Sequence, residues 1–498
     1  MANNEQFSGR WGIILASLGM AIGAGNLWRF PRLAGQYGGS FLILWLVFLL
    51  VWSIPILLAE FSLGKKMKAS IISSFQGFLG KNYAWMGFFI TCCALGIAFY
   101  YSVVTGWGLR YLWLSLSGLF DTPIAERLAD NPEYMNEFWA SIHSGSYVTV
   151  GLHFIAVVLG VLVLIRGIQK GLEKANRILI PSLFVLLIIV MATALTMPNG
   201  VLGLEYMFSV DKAHFFNSTV WIEALSQSAW STGAGWGLML TLSSYSRQKE
   251  DVSLNIFVGA FGNNTASLVA GMAILPAVFA MAPSVTEAEQ FLGSGSQALT
   301  FTIIPQLFAQ MPGGAWLSVV FFLAFFLAAF SSLLPMIELF IRTVTDFGIG
   351  RKAGAIIAGA GCILFGAPSA WSLDFFSNQD WVWGIGLIIS GLFFIFAVFK
   401  HGAARYKCDL IDTDSDFKVF DYYFYNTMGL NFLLAFVLIW WWMTRGYSEF
   451  PWFDADGNWN VFDTYSNASV VTQWALIILL GIIINIIWVS RLKKSKSI

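Results

Sequence analysis

Residues 11–35 read WGIILASLGMAIGAGNLWRFPRLAG, an apolar run long enough to cross a bilayer that carries Gly19, Gly23 and Gly25 through its middle. Residues 220–246, VWIEALSQSAWSTGAGWGLMLTLSSYS, repeat the pattern with Gly233, Gly235 and Gly237. A hydrocarbon core about 30 Å thick takes roughly 20 apolar residues per crossing. Lipid offers a broken helix no hydrogen-bond partners, so a break at that depth is tolerated only where the freed amides and carbonyls line a protein-enclosed site. Two such breaks, at corresponding places in two halves of a chain, are the pattern of a transporter built from two repeats.

The rest of the chain agrees. Hydrophobic residues make up 57% and charged residues 11%, and the mean hydropathy is +0.70, which excludes a soluble globular protein. Twelve spans are expected near 11–35, 41–64, 84–114, 149–166, 176–197, 220–246, 253–281, 314–346, 353–370, 381–400, 422–444 and 470–490. No polar linker divides them. The expected fold is therefore an all-α polytopic membrane protein of about twelve transmembrane helices, with an inverted five-helix repeat and broken helices 1 and 6. It is read as one transporter domain over 1–498, with 1–200 as first repeat, 201–400 as second, and 401–498 holding helices 11 and 12.

Placing both termini in the cytoplasm puts all of the 28 Lys plus Arg on the inner side except Arg29, Arg32, Arg110, Arg127, Lys212 and Arg445. The positive-inside rule then favours an even number of crossings. The outer loops are acidic, as at Asp121, Glu126, Asp130, Glu133 and Glu137. The zero net charge hides this sorting, and no basic stripe suggests nucleic acid. Cys92, Cys93, Cys362 and Cys408 lie in spans or at the inner face, so no outer disulfide is expected, and the four histidines lack metal-ligand spacing. The few intramembrane ionisable groups form no acid/base, nucleophile or metal constellation, which argues against an enzyme. Short termini and the cysteine placement point to an integral plasma-membrane protein, of a bacterial inner membrane.

The stretch Gly23-Ala24-Gly25-Asn26-Leu27-Trp28-Arg29-Phe30-Pro31 resembles the first-helix signature of the neurotransmitter:sodium symporter family, which includes the bacterial leucine transporter. Further matches are Gly38-Gly39, Glu60, Tyr100-Tyr101, Arg166-Gly167-Ile168-Gln169-Lys170-Gly171-Leu172-Glu173, Pro198-Asn199-Gly200 and Ser331-Ser332, so the resemblance covers roughly spans 1 to 10. It implies a sodium-coupled secondary symporter of neutral, hydrophobic amino acids working by alternating access. A proton-coupled carrier and a non-transporting amino-acid sensor on the same scaffold are the alternatives; a homodimer and contact with membrane lipid are open partner readings.

The resemblance also implies a site. Amides near Ala24 and Gly25, with Tyr101, would hold a carboxylate at the half-helix end. Amine-carrying relatives have an aspartate where this chain has Gly23, so a substrate bringing its own carboxylate is expected. Ile97, Trp230, Gly233, Trp236, Ser332 and Met336 would line the side-chain pocket. One sodium ion would use Ala21, Asn26, Ser231 and Asn263, with the substrate carboxylate; a second would use carbonyls of Gly19, Ile22 and Ala328 and hydroxyls of Ser331 and Ser332. Gln227, Ser231, Asn263 and Ser267 would surround a chloride ion, although Trp45 stands where the family has a tyrosine. Arg29 and Asp380 are expected to pair as an outer gate, and Tyr245 and Asp346 to belong to an inner one. The family's arginine near the chain start is absent; Asn4 or Gln6 stands there, and Arg10 is the alternative.

Overall fold

The computed structural model describes residues 5–118, 126–127, 130–131, 133–143, 145–309, 313–444 and 448–495. The helices used below are α1 (Arg10–Ala21), α2 (Ala24–Phe48), α3 (Ile54–Met67), α4 (Ala84–Leu116), α5 (Tyr147–Leu164), α6 (Lys174–Leu195), α7 (Ser218–Thr232) and α8 (Leu238–Ser243). They continue as α9 (Val252–Met281), α10 (Gly314–Asp346), α11 (Arg351–Trp371), α12 (Leu373–His401), α13 (Asp421–Thr444) and α14 (Asn467–Ser495). Among the described residues the only β pairing is the isolated bridge Phe453–Trp459.

Ten helical stretches of the described residues are long and apolar enough to cross a membrane. The first, Ala24–Met67, has 44 residues and would be about 66 Å long at 1.5 Å per residue, far more than one bilayer. Gly38, at φ 56° and ψ −148°, divides it. A Cβ there would stand 2.6 Å from the Ser209 carbonyl oxygen, so only glycine lets the chain turn against that backbone.

The two mid-span interruptions are real but have different causes. Between α7 and α8, Gly233, Gly235 and Gly237 have φ of 71°, 92° and 73°, left-handed torsions that side chains disfavour. Between α1 and α2 the backbone opens at Ile22 (φ −80°, ψ 90°) and Gly23 (φ −115°, ψ −170°), torsions open to any residue. Gly19 stays helical in α1 and Gly25 in α2, which corrects the expectation that all three glycines mark the break. Gly23 is glycine for space: its Cβ would lie 2.6 Å from Tyr101 Oη and 2.9 Å from Ser332 Oγ.

Packing places these breaks in the interior. α10 lies along α4, α9 along α6 and α7 along α2, while α1 touches α6, α9 and α10. Side chains such as Leu27, Phe30, Trp52, Phe61 and Phe325 are buried among them. α13 and α14 sit at the periphery against α12 and α4. Their outward residues, including Phe432, Phe436, Leu479 and Ile486, are exposed, as expected of helices that face hydrocarbon.

Candidate functional site

A cavity of about 540 Å³ opens on the break in the first span, lined by Met20, Ala21, Gly23, Gly25, Asn26, Tyr101, Gln227, Trp230, Ser231, Trp236, Ser332 and Met336. Towards the acidic end of the bundle its wall adds Arg29, Glu223 and Asp380. A second cavity, about 1230 Å³, lies at the basic end among Glu5, Lys65, Lys68, Tyr245, Arg342, Asp346 and Arg351. Among the described residues none lines both.

At the break, the Ala24 amide donates to Tyr101 Oη at 2.9 Å and the Gly23 amide to Asn26 Oδ1 at 3.1 Å. A side chain on Gly25 would meet nothing within 4 Å, so this position faces the cavity. The second break is braced by Glu60, fully buried, which accepts the Gly235 amide at 2.5 Å. That bond fixes a loop whose own helix has released its amides.

Two groups of oxygens converge beside the first break. Asn26 Nδ2 donates to Asn263 Oδ1 at 2.9 Å and to Ser267 Oγ at 2.8 Å. The Asn263 carboxamide also meets the carbonyls of Ala21 (3.1 Å) and Ser231 (3.2 Å) and Ser231 Oγ (2.9 Å), with its nitrogen towards those carbonyls in one orientation and its oxygen in the other. The oxygen-inward orientation suits a cation between them. In the other group, Ser332 Oγ, with one proton to donate, lies within hydrogen-bond reach of the Gly19, Met20 and Ile22 carbonyls at 3.0, 3.1 and 3.3 Å. Ser331 Oγ reaches the Ala328 carbonyl at 2.9 Å and that of Ile22 at 3.4 Å. Both sets are neutral oxygens, the donor type a hard cation takes.

The expected substrate site differs in three places. Ile97 is fully buried and does not line this cavity. Gly233 is covered by Met20, whose Cε would stand 3.3 Å from a Cβ at that position. Ala24 is buried as well and contributes an amide already bonded to Tyr101. Met20 thus takes the wall that Gly233 leaves open. Trp230 and Trp236 meet edge to face, ring centres 5.3 Å apart, and Trp230 fits a notch at Gly384 of α12, where a Cβ would lie 2.7 Å from its ring.

Of the anion-site candidates, Ser231, Asn263 and Ser267 are joined through hydrogen bonds. Gln227 stands apart: its buried Oε1 and Nε2 find no partner among the described residues, and neither does Trp45 Nε1.

In this conformation the expected Arg29–Asp380 pair is not made. Arg29 donates to Glu223 at 3.0 Å and to Ser226 at 2.8 Å, while Asp380 accepts from Tyr100 Oη at 2.8 Å. The nearer carboxylate takes the guanidinium and a phenol satisfies the other. Glu223 was legible as an acid inside an apolar span, a feature that by itself suggests function. At the basic end, Tyr245 Oη donates to Glu338 at 2.6 Å, and Asp346 accepts the Ser70 amide at 2.6 Å. The two expected gate residues do not bond each other; both meet Arg342, which lies 5.2 Å over the Tyr245 ring and 3.7 Å from the Asp346 carboxylate. Arg10 pairs with Glu250 at 3.7 Å and does not replace the missing arginine. Glu5 instead pairs with Arg351 at 2.8 Å, and Arg351 pairs with Glu338 at 2.7 Å. Burial pushes the Glu5 carboxyl above its usual range against the pull of Arg351.

The chain matches the "Sodium:neurotransmitter symporter family" over residues 4–125 and 131–495. A sodium-dependent transporter of Methanocaldococcus jannaschii is 32% identical, over 70% of this chain and 71% of that protein. The sodium-dependent transporter YhdH of Bacillus subtilis is 28% identical, over 75% and 80%. Among solved structures, MhsT in complex with L-phenylalanine superposes with a TM-score of 0.76 at 26% identity, covering 88% of this chain and 99% of its own.

Proposed function

This chain belongs to the sodium:neurotransmitter symporter family, and on that premise we propose that it carries a neutral, hydrophobic amino acid inward with sodium. Membership makes it a membrane carrier and not an enzyme; the substrate and the coupling are our reading. The observation that carries it is the composition of the cavity at the first break. Gly23, Gly25 and Tyr101 bring no charge to one end, and Trp230, Trp236 and Met336 make the other apolar. A zwitterion with an apolar side chain matches both ends. Its carboxylate would meet the half-helix N-terminus, where partial positive charge and amides favour an anion. Phenylalanine in the related MhsT structure is consistent with this size and chemistry.

Ala21, Asn26, Ser231 and Asn263 would hold one sodium ion beside the substrate carboxylate, and the oxygens of Gly19, Ile22, Ala328, Ser331 and Ser332 a second. With neutral ligands only, the carboxylate is the charge that attracts the first ion, so each raises the other's affinity by the same factor. Donors without partners, Gln227 Nε2 and Trp45 Nε1, favour an anion near Gln227, Ser231, Asn263 and Ser267. On this reading the acidic-end cavity would be the outer entrance and the basic-end cavity the inner exit, with both termini in the cytoplasm. Counting each interrupted helix as one crossing, and Gly38 as a boundary, the ten apolar stretches would correspond to the twelve crossings expected of an inverted repeat. Closure would transfer Arg29 from Glu223 to Asp380.

The test is uptake of labelled L-phenylalanine into liposomes holding the purified chain, with an inward sodium gradient. Accumulation that collapses when potassium replaces sodium is expected. Binding without accumulation would mean a sensor, and uptake driven by a pH gradient alone would mean proton coupling.

A further inference from the structure

The buried face of α6 reads Asn176, Ile180, Leu183, Leu187, Val190 and Ala194, one amide at the start of an apolar stripe. Asn176 is fully buried. Neither its Oδ1 nor its Nδ2 has a partner among the described residues. Leaving such a group unpaired costs about 1–3 kcal/mol, and native proteins retain one where an ion or water serves it.

Its position indicates which. The carboxamide presses on Gly19 of α1, where a Cβ would lie 2.5 Å from Oδ1 and 2.8 Å from Cγ. Gly19 is therefore small because Asn176 occupies its side-chain space. The Gly19 carbonyl is among the oxygens that gather round Ser332 Oγ, at 3.0 Å. An unpartnered amide oxygen thus stands against Gly19, the residue whose carbonyl belongs to that cluster, on a helix that contributes none of the cluster's oxygens.

We infer that Asn176 is a further ligand of the second sodium ion, its Oδ1 completing the shell begun by Gly19, Ile22, Ala328, Ser331 and Ser332. This rests on the second-site reading above. It also gives the ion a grip on α1 from outside the broken pair. Glu173, just before α6, accepts the Ser8 amide at 2.9 Å and fills the notch at Gly12, where a Cβ would be 2.5 Å from its Cδ. The segment that carries Asn176 also holds the start of α1 through Glu173.

The experiment is equilibrium binding of radiolabelled sodium to the purified full-length chain in a potassium background, for wild type, N176A, N176D and S332A. N176A should bind about tenfold more weakly. N176D, nearly the same size with a carboxylate in place of the amide, should bind sodium more tightly and become sensitive to competition by calcium, a response that a packing role would not create. Wild-type affinity and calcium insensitivity in both Asn176 variants, with S332A weakened, would overturn the inference and leave the second site standing. Wild-type affinity in S332A as well would overturn the second site itself. Should N176A fail to fold, N176D decides alone.

Discussion

Gly23→Ala tests the geometry of the first break most directly. The added methyl carbon would stand 2.6 Å from Tyr101 Oη and 2.9 Å from Ser332 Oγ, closer than unbonded atoms approach. Relief requires the phenol to retreat by about 0.9 Å, since ordinary packing contacts begin near 3.5 Å. The Tyr101 Oη bond to the Ala24 amide is 2.9 Å long and would stretch beyond hydrogen-bond range. A buried amide left unpaired costs about 1–3 kcal/mol, which weakens sodium-dependent binding of labelled L-phenylalanine about 5- to 150-fold. Tyr101→Phe removes the obstructing oxygen, so the double variant should bind better than the product of the two single effects predicts, by a coupling of about 0.5–3 kcal/mol. Gly25→Ala is the control, because its methyl group meets nothing within 4 Å; it should fold normally and weaken binding only by narrowing the cavity. Wild-type affinity for Gly23→Ala, or strict additivity with Tyr101→Phe, would refute the reasoning.

Asn26→Ala removes the amide that meets both Asn263 and Ser267 and should abolish sodium-dependent amino-acid binding; radiolabelled sodium binding checks it, and wild-type affinity would remove the first ion site. Glu223→Gln should release Arg29 towards Asp380 and lower by about 1.4- to 5-fold the labelling rate of a cysteine placed at Ser377, which lines the same cavity; an unchanged rate would sink the partner exchange. Lys68, its amine pushed down to about 8 by burial beside Lys65 and Arg342, favours the neutral form because both effects penalise charge. Near pH 8 about half of it is unprotonated, against about 0.3% of an ordinary lysine, so it should acetylate well ahead of Lys66, as peptide mass spectrometry would show. Its reactivity should rise as the pH passes through about 8 and not wait for the usual lysine range.

The chain's class was legible because lipid imposes the harshest rule on composition: spans must be apolar and their backbones self-satisfied. Gly233, Gly235 and Gly237 marked the second break in the sequence, and in the fold each takes a left-handed torsion. Asn26, Asn263, Ser331 and Ser332 were named through the family resemblance; all four are buried in the apolar bundle, Asn26 beside Asn263 and the two serines against the α1 carbonyls. The first break was legible in place but not in cause, because Gly19 and Gly23 are small on account of Asn176 and Tyr101, side chains 157 and 78 positions away along the chain.

Local sequence thus determined the helical spans, the position of the interruptions and the residue types available at them, because torsional preference and hydropathy act over a few residues. Tertiary structure alone decided which groups meet. It gave Arg29 to Glu223 instead of Asp380, set Met20 in the wall that Gly233 leaves open, hid Ile97 and brought Asn176 to Gly19. Choosing among several carboxylates or apolar side chains depends on distances between helices far apart in the chain, and only their packing sets those distances.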